Sequence, residues 1–341
     1  MTEKQNSPKQ FFKEQVQNYS QQLSQIKKSI RQVAALRISS FLITVLGIYL
    51  TAGHSLTGLL IIAFAGFSLF GFFVFRHIRL YKQKKQVESL LQINENELRL
   101  MKRDTSHQPE GLEFLDTSHP FAADLDIFGK RSLFQLLDRS ATHIGSNRLA
   151  YTLLHPLTQK DQIITRQEAI AELSEMPRWR QEFQALGNQE EKEKNSVEDL
   201  LRWAEKRDTV FNKPIFKILL VITPLLGLGV VGLSSFGLLP YSTFLAFLIL
   251  PFLVLGLRIE KINKAYDLLS KKASLLEQYA TLFEKATEKG FRSDIMQQIV
   301  KTLTEGEASA FGAVRKLSAI SKAFDYRLNI LIGIPLNIFF L

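Results

Sequence analysis

The chain has 341 residues, no cysteine and a formal net charge of +10 at pH 7. The length allows two domains of ordinary size, and the lack of cysteine excludes a disulfide framework and any cysteine-based metal site or nucleophile. Mean hydropathy is close to zero, at +0.01, but the apolar residues are concentrated in two blocks. Residues 38–75 and 218–257 contain no Asp, Glu, Lys or Arg.

The chain begins with a predicted amphipathic helix. Ser7 followed by Pro8 is typical of a helix start, and apolar residues from Phe12 to Val33 recur at three- and four-residue spacing. This helix is predicted to run into the first apolar block, and a second amphipathic helix is predicted to leave that block and end near residue 103. Because these two stalk helices leave the same block, we expect them to pack as an antiparallel coiled coil.

Each apolar block is too long for one membrane crossing and suits two. As single helices the blocks would be roughly 57 and 60 Å long, whereas a hydrocarbon core is about 30 Å thick. Small and polar residues interrupt the blocks at Thr51–Gly58 and Gly232–Pro240. We therefore predict two transmembrane hairpins with four spans, near 38–53, 58–75, 216–233 and 240–257. The alternative, a pair of core helices in a soluble protein, normally shows a polar stripe that these blocks lack.

The flanking charges predict the orientation. Basic residues border both blocks: Lys27, Lys28, Arg31, Arg37, Arg76, Arg79, Lys82, Lys84, Lys85, Lys213, Lys217, Arg258, Lys261 and Lys264. Neither connecting turn contains Lys or Arg. The positive-inside bias then places the N-terminus and the main helical domain in the cytoplasm, in a multi-pass protein of a bacterial-type inner membrane. This flanking role explains much of the basic charge and weakens the case for nucleic acid as its cause.

The remaining chain is predicted to be all-α. We divide it into stalks and hairpin 1 (1–103), a turn-rich linker (104–123), a helical unit (124–212), hairpin 2 (213–257) and long returning helices (258–341). The last residues, 329–341, are apolar to the final position. We expect the chain to be part of a longer protein, the alternative being a tail that lies in the membrane interface.

Catalytic motifs are missing from the sequence. No P-loop, G-x-G-x-x-G, H-E-x-x-H or G-x-S-x-G motif occurs. The DTSH tetrapeptides at 104–107 and 116–119 place His beside Asp, and we interpret them as turn formers rather than metal ligands. Asp124 and Asp126 are likewise interpreted as helix-capping residues. We predict no catalytic, cofactor-binding or metal-binding residue in this chain.

One segment resembles a known family. Residues Leu125–Leu173 contain a Ser-Leu-Phe-x-Leu-Leu-Asp-Arg entry, a Thr and a Gly before Arg-Leu, a Leu-x-x-Pro-Leu corner and an Arg-Gln-x-Ala helix. This pattern resembles the start of the core, or lever, domain of the MutS DNA mismatch-repair family. The matching positions, for which the resemblance implies structural roles, are Asp138, Arg139, Thr142, Gly145, Arg148, Pro156, Arg166 and Gln167.

The resemblance implies a non-catalytic lever that couples a C-terminal ATPase, with its ATP and Mg, to DNA. It also implies mismatch-repair-like function and a homodimer for the full-length protein. Two departures stand out: a membrane hairpin replaces the N-terminal mismatch-reading domain, and hairpin 2 occupies the place where the levers reach the DNA clamp. The main hypothesis is therefore a membrane-anchored MutS-like protein. The alternative is a membrane scaffold that reuses the core without DNA or ATP.

Overall fold

A computed structural model describes residues 7–188, short stretches between 222 and 247 (222, 225–227, 229–230, 232–234, 236–240, 242–243 and 247), and residues 275–305, 309 and 311–319. Every regular element in this described part is helical, as the sequence predicts. The chain divides into two compact units, Met1–Glu191 and Lys192–Leu341. Most of hairpin 2 and much of the returning helices predicted over 258–341 lie outside the described residues.

Two very long helices form the first part of unit 1. Helix α1 spans Pro8–Thr51 and helix α2 spans Leu56–Leu100, so each is about 65 Å long. The Ser7 hydroxyl accepts from the Gln10 N–H at the start of α1, and the Ser55 hydroxyl accepts from the Gly58 N–H at the start of α2. Each predicted span of hairpin 1 therefore continues without a break into its stalk.

Small residues let α1 and α2 approach closely within the apolar block. A Cβ on Gly66 would overlap the Thr44 side chain, with only 2.7 Å to Thr44 Cβ, and a Cβ on Gly47 would lie 2.9 Å from Ile62. Thr44 is buried, and its hydroxyl donates to the Ser40 carbonyl oxygen at 2.7 Å. The contact thus leaves this hydroxyl satisfied without water, which suits helix packing in an apolar solvent.

The outer surface of this hairpin is apolar on all sides. Large side chains such as Leu42, Phe64 and Phe75 are exposed, with Phe64 at 79%. Both helices are long and apolar enough to cross a membrane, by length and composition. The described residues thus contain two candidate spans where the sequence predicts four, because the other two predicted spans fall mostly on positions that the structure does not describe.

After α2 the chain forms a compact aromatic core. A 3-10 helix spans Leu112–Phe114, and Phe114, Phe128 and Phe134 pack with ring centroids 5.5 to 5.8 Å apart. Gly111 has a left-handed backbone (φ 67°), and a Cβ there would lie 2.7 Å from the Phe134 ring. The segment predicted as a linker, 104–123, therefore contributes directly to this core.

The two DTSH tetrapeptides form the same turn. In each, the aspartate Oδ1 accepts from both the backbone N–H and the hydroxyl of the serine two residues later: Ser106 on Asp104 and Ser118 on Asp116. These hydrogen bonds stabilise the carboxylate, and so they lower the pKa of Asp104 and of Asp116 from the ordinary value. The prediction of turn formers is confirmed.

Four helices complete the described part of unit 1. They are α3 (Leu133–Leu137), α4 (His143–Leu154), α5 (Lys160–Ser174) and α6 (Pro177–Gly187). Leu149 and Leu153 of α4 pack on the aromatic core. The leucine spacing in α3 favours an apolar interior face that includes Leu136 and Leu137. These two side chains are about half exposed, whereas Phe134 and Gln135 are buried.

Unit 2 contains helical segments with recognisable ends. The Leu238 N–H donates to the Leu233 carbonyl and the Gly237 N–H to the Ser234 carbonyl, with Gly237 left-handed (φ 74°). This Schellman motif lies in the predicted turn Gly232–Pro240. Residues 275–287 are helical, and helix α7 (Asp294–Thr304) begins after Ser293.

Candidate functional site: the junction between stalk and core

The far end of α2 packs against α6 and forms a small apolar contact. Leu90 and Ile93 of α2 are buried against Ala185 of α6, and Tyr19 of α1 packs on the same cluster. Ala185 is fully buried, and its small side chain lets the two helices approach. We call this contact, together with the polar pairs described next, the stalk–core junction.

Two amides meet at the centre of the stalk–core junction. Asn94 of α2 is fully buried and Gln181 of α6 nearly so. The Gln181 Nε2 donates to Asn94 Oδ1 at 2.9 Å, and Asn94 Nδ2 donates to Gln181 Oε1 at 3.3 Å and to the Leu90 carbonyl at 2.7 Å. A buried amide without partners is costly, so only one register of α2 against α6 satisfies both side chains.

An ion pair lies beside the amides. The Arg139 guanidinium donates from Nε to Glu97 Oε1 and from Nη2 to Glu97 Oε2, the second at 3.2 Å. It also donates to the Leu136 carbonyl at 2.7 Å. Such a two-point contact fixes orientation as well as distance. Because both side chains are only partly buried, we expect its contribution to the free energy of unfolding to be about 1 kcal/mol or less.

Asp138, the neighbour of Arg139, points into the core rather than to the stalk. It is buried, and its carboxylate accepts from the Ser140 N–H at 2.9 Å and from the Ser146 hydroxyl at 3.1 Å. The sequence suggests that Asp138-Arg139 pairs with Arg148 or with the next helix. The second alternative describes Asp138, because Ser146 belongs to α4, whereas Arg148 lies over the Tyr151 ring, at 5.3 Å.

The other motif residues shape the helices behind the junction. Thr142 caps α4 by accepting from the Gly145 N–H at 3.1 Å, and Pro156 follows His155, the residue that ends α4. Arg166 and Gln167 lie on α5. None of these four residues takes part in the contacts that define the stalk–core junction.

A glycine at position 145 favours a close helix approach there, but the close approach occurs at a different glycine. A Cβ on Gly145 would meet only Ser140 and Thr142, at ordinary contact distances of 3.4 Å. A Cβ on Gly187, at the end of α6, would overlap Ala141 and lie 2.8 Å from its carbonyl carbon. Gly187 therefore allows α6 to meet the loop that carries Arg139.

Tyr19 has an electrostatic environment that favours its neutral form. Burial raises the pKa of the Tyr19 phenol, and the negative charge of Glu182 raises it further, while Arg178 acts in the opposite direction. Glu182 and Arg178 both belong to α6. The ionisation of this α1 residue therefore depends on the docking of α6.

The stalk–core junction consists of groups that pack and form hydrogen bonds rather than groups that react. Its side chains are amides, one ion pair and apolar residues, none of which is an activated nucleophile. Among the residues that the structure describes, no three His, Asp or Glu side chains form a group that could hold a metal ion. The junction therefore holds α2 against the core by apolar packing, side-chain hydrogen bonds and one ion pair.

A family model described as MutS domain III matches residues 110–309, more than half of the chain. The chain belongs to the MutS domain III family. No curated protein and no solved structure matches it. The MutS domain III region includes α3 to α7, so the MutS-like core expected from the resemblance is present, whereas α1 and α2 lie before it.

The stalk–core junction therefore joins MutS domain III to an element outside that domain. Arg139 and Gln181 belong to the MutS domain III region, and their partners Glu97 and Asn94 belong to α2. We did not predict Asn94, Glu97 or Gln181 from the sequence. The one signal that could have pointed to them was a polar residue, Asn94, directly after the buried positions Leu90 and Ile93.

Proposed function

We propose that this protein is a membrane-anchored MutS-like protein whose domain III core is carried on a transmembrane hairpin. The observation that supports this proposal is the continuity of α2, one helix from Leu56 to Leu100. Its first half is apolar, and its second half carries Asn94 and Glu97 into the stalk–core junction. A displacement of the core would therefore reach the membrane segment through one rigid element.

The surface chemistry of the hairpin favours a bilayer over water. Residues 38–75 contain no charged side chain, and their large apolar residues face outward around both helices. A contiguous apolar surface of this size is not stable in water without a covering partner. A helix that is apolar all round suits lipid, and paired helices also satisfy their own backbone hydrogen bonds.

The MutS-like core is proposed to act as a lever. In the full-length protein, an ATPase domain using ATP and Mg would drive the core, and the core would pass that movement to α2 through the Arg139–Glu97 and Gln181–Asn94 contacts. DNA is the proposed partner because of the family, and a homodimer is the proposed assembly. No group in the junction needs to react, since its part is to hold position.

Cysteine labelling tests the anchor, because the chain has no native cysteine. Two single variants, Ala52→Cys in the hairpin turn and Thr117→Cys in the loop after α2, place exposed thiols at the two ends. In intact cells a membrane-impermeant maleimide is expected to label Ala52→Cys, and to label Thr117→Cys only after permeabilisation. Equal labelling of both in intact cells, or loss of the protein from the membrane fraction after carbonate extraction, would contradict the proposal.

A membrane scaffold without DNA or ATP is the second candidate. It is favoured by the position of the apolar block 218–257 inside the MutS domain III match, because that block contains no Lys or Arg, the side chains that bind DNA phosphates. Binding of the full-length protein to matched, mismatched and branched duplexes at increasing salt separates the two. Affinity that falls steeply with salt supports DNA as the partner, and no binding to any duplex supports the scaffold.

A further inference from the structure

We propose that the hairpin carries a binding collar for anionic phospholipid headgroups where α1 and α2 leave the apolar block. This inference rests on the membrane anchor proposed above. The collar consists of four basic residues of α1 and five of α2: Lys27, Lys28, Arg31, Arg37, Arg76, Arg79, Lys82, Lys84 and Lys85. This set is called the basic collar below.

Five cations of the basic collar have no ion-pair partner among the described residues: Lys28, Arg31, Arg37, Arg76 and Arg79. No Asp or Glu occurs in the sequence between Glu14 and Glu88. Glu88 lies 3.8 Å from Lys27 and 3.6 Å from Lys84, so its carboxylate is already shared by two lysines. The five remaining cations therefore leave a positive excess in this part of the chain, and this excess favours anions from outside the hairpin.

The pairing of the two helices brings both halves of the collar to one level. Phe41 contacts Phe70, with ring centroids 5.9 Å apart, and Lys27 contacts Glu88. These two contacts fix the antiparallel register, so residues 27–37 of α1 lie beside residues 76–85 of α2. The charges thus form a band around the hairpin rather than two separate clusters.

The depth of this band matches the headgroup layer. Phe75 is the last residue of the apolar block, and a helix rises 1.5 Å per residue. Arg76 and Arg79 then lie within roughly 6 Å of the hydrocarbon edge, inside a headgroup layer about 5–7 Å thick. Lys82 and Lys85 lie about 10–15 Å from that edge, close enough for attraction across a Debye length of about 8–10 Å.

The α2 side of the collar offers a place for a headgroup. A shallow cleft of about 540 Å³ is lined by His77, Ile78, Tyr81, three lysines (Lys82, Lys84 and Lys85) and one carboxylate, Glu88. The Tyr81 ring contacts His77, with centroids 4.9 Å apart, and Lys84 Nζ lies 5.5 Å from its centre. An exposed tyrosine at this depth is typical of a membrane interface, and the lysines beside it suit a phosphodiester.

Lipid is favoured over nucleic acid because of the position of the arginines. The innermost charges, Arg76 and Arg37, adjoin the apolar block directly. In a bilayer this level is occupied by phospholipid headgroups, so a duplex approaching from the cytoplasm would meet those headgroups before it met the arginines. Basic residues in this place attract anionic lipids strongly.

Two variants with the same charge test the collar in the full chain. The collar variant Lys28→Gln/Arg31→Gln/Arg79→Gln and the distal variant Lys9→Gln/Lys13→Gln/Lys102→Gln each lower the formal net charge by three, from +10 to +7. All six positions are exposed in the structure. Far-UV circular dichroism checks that both variants keep the helical content of the wild type.

Each protein is reconstituted into phosphatidylcholine vesicles containing a trace of spin-labelled phosphatidylglycerol or spin-labelled phosphatidylcholine. The measured quantity is the fraction of each spin-labelled lipid that the protein immobilises. Because one Lys or Arg near an anionic surface changes binding about five-fold, we expect the wild type and the distal variant to prefer phosphatidylglycerol by about five-fold. The collar variant, which keeps six of the nine collar cations, is expected to show a clearly smaller preference than either of them.

Three other outcomes would contradict the inference, and each rules out a different part of it. An inserted collar variant with the wild-type lipid preference disproves the collar while the membrane anchor stands. A collar variant that loses duplex-DNA binding and keeps its lipid preference assigns the charges to nucleic acid. A wild-type chain that does not float with the vesicles at all contradicts the membrane anchor itself, and the collar with it.

Discussion

At the scale of single residues, the stalk–core junction depends on two buried side chains that are each other's hydrogen-bond partner. Asn94 and Gln181 are separated by 87 positions in the chain, and each supplies the other's hydrogen-bond partner in a buried place. Leu90, Ile93 and Ala185 supply apolar contact around them. The apolar residues favour burial in many registers, whereas the amides are satisfied in one.

We predict that Asn94→Leu and Gln181→Leu each lower the free energy of unfolding by about 1–3 kcal/mol, because each leaves a buried amide unpaired. The double variant is expected to lose less than the sum of the two. Denaturant unfolding of the detergent-solubilised chain, followed by tryptophan fluorescence, to which Trp179 on α6 contributes, measures these losses. The exposed Gln162→Leu is the control, and additive losses would show that the two amides do not interact.

A second prediction concerns alkaline pH. The raised pKa of Tyr19 means that the unfolded chain, with an ordinary value near 10.0, ionises first as pH rises. The contribution of the neutral Tyr19 phenol to the free energy of unfolding is therefore complete below about pH 10. This contribution is lost as the pH rises through the folded-state pKa. Between pH 9 and pH 11 the wild type should lose more of its unfolding free energy than Tyr19→Phe does. Tyr151→Phe, at an exposed position, is the control. If it reduces the loss between pH 9 and pH 11 as much as Tyr19→Phe does, the loss does not come from Tyr19.

At the scale of elements, the close contact between α1 and α2 depends on small residues, and two glycine substitutions test this dependence. Gly66→Leu would force a side chain into Thr44, whereas a Cβ on Gly71 would meet nothing within 4 Å. We predict that Gly66→Leu lowers the melting temperature of the detergent-solubilised chain, with a cost of about 1–3 kcal/mol, and that Gly71→Leu does not. Equal effects of the two substitutions would mean that this helix contact is not close in the membrane.

The elements also show how far sequence reasoning reaches in this chain. The uncharged block 38–75, the Ser7-Pro8 start and the small residues near Gly53 are local signals, and they were enough to predict α1, α2 and their turn. The MutS-like pattern around Asp138 and Arg139 was enough to predict the family. The partners of those residues were not predictable, because Glu97 and Gln181 look like ordinary polar residues of exposed helix faces until the fold brings them together.

At the scale of the whole molecule, one substitution shows whether the hairpin is surrounded by lipid or by water. Phe64 is exposed near the middle of the apolar part of α2. A lysine at the centre of a transmembrane helix costs about 2.5–3.5 kcal/mol, so Phe64→Lys is expected to reduce the carbonate-resistant membrane fraction strongly, while Phe64→Leu leaves it unchanged. A hairpin that sits in water would tolerate Phe64→Lys and become more soluble.

The unbroken α2 helix also acts as a spacer of fixed length. From Phe75 to Asn94 it rises about 28 Å, so in the proposed membrane anchor the stalk–core junction lies up to about that distance from the hydrocarbon edge. A ligand thicker than this distance would reach the junction only from the side. In the same arrangement, a partner held in the membrane would meet the junction by lateral diffusion, at an effective concentration well above its average in the cell.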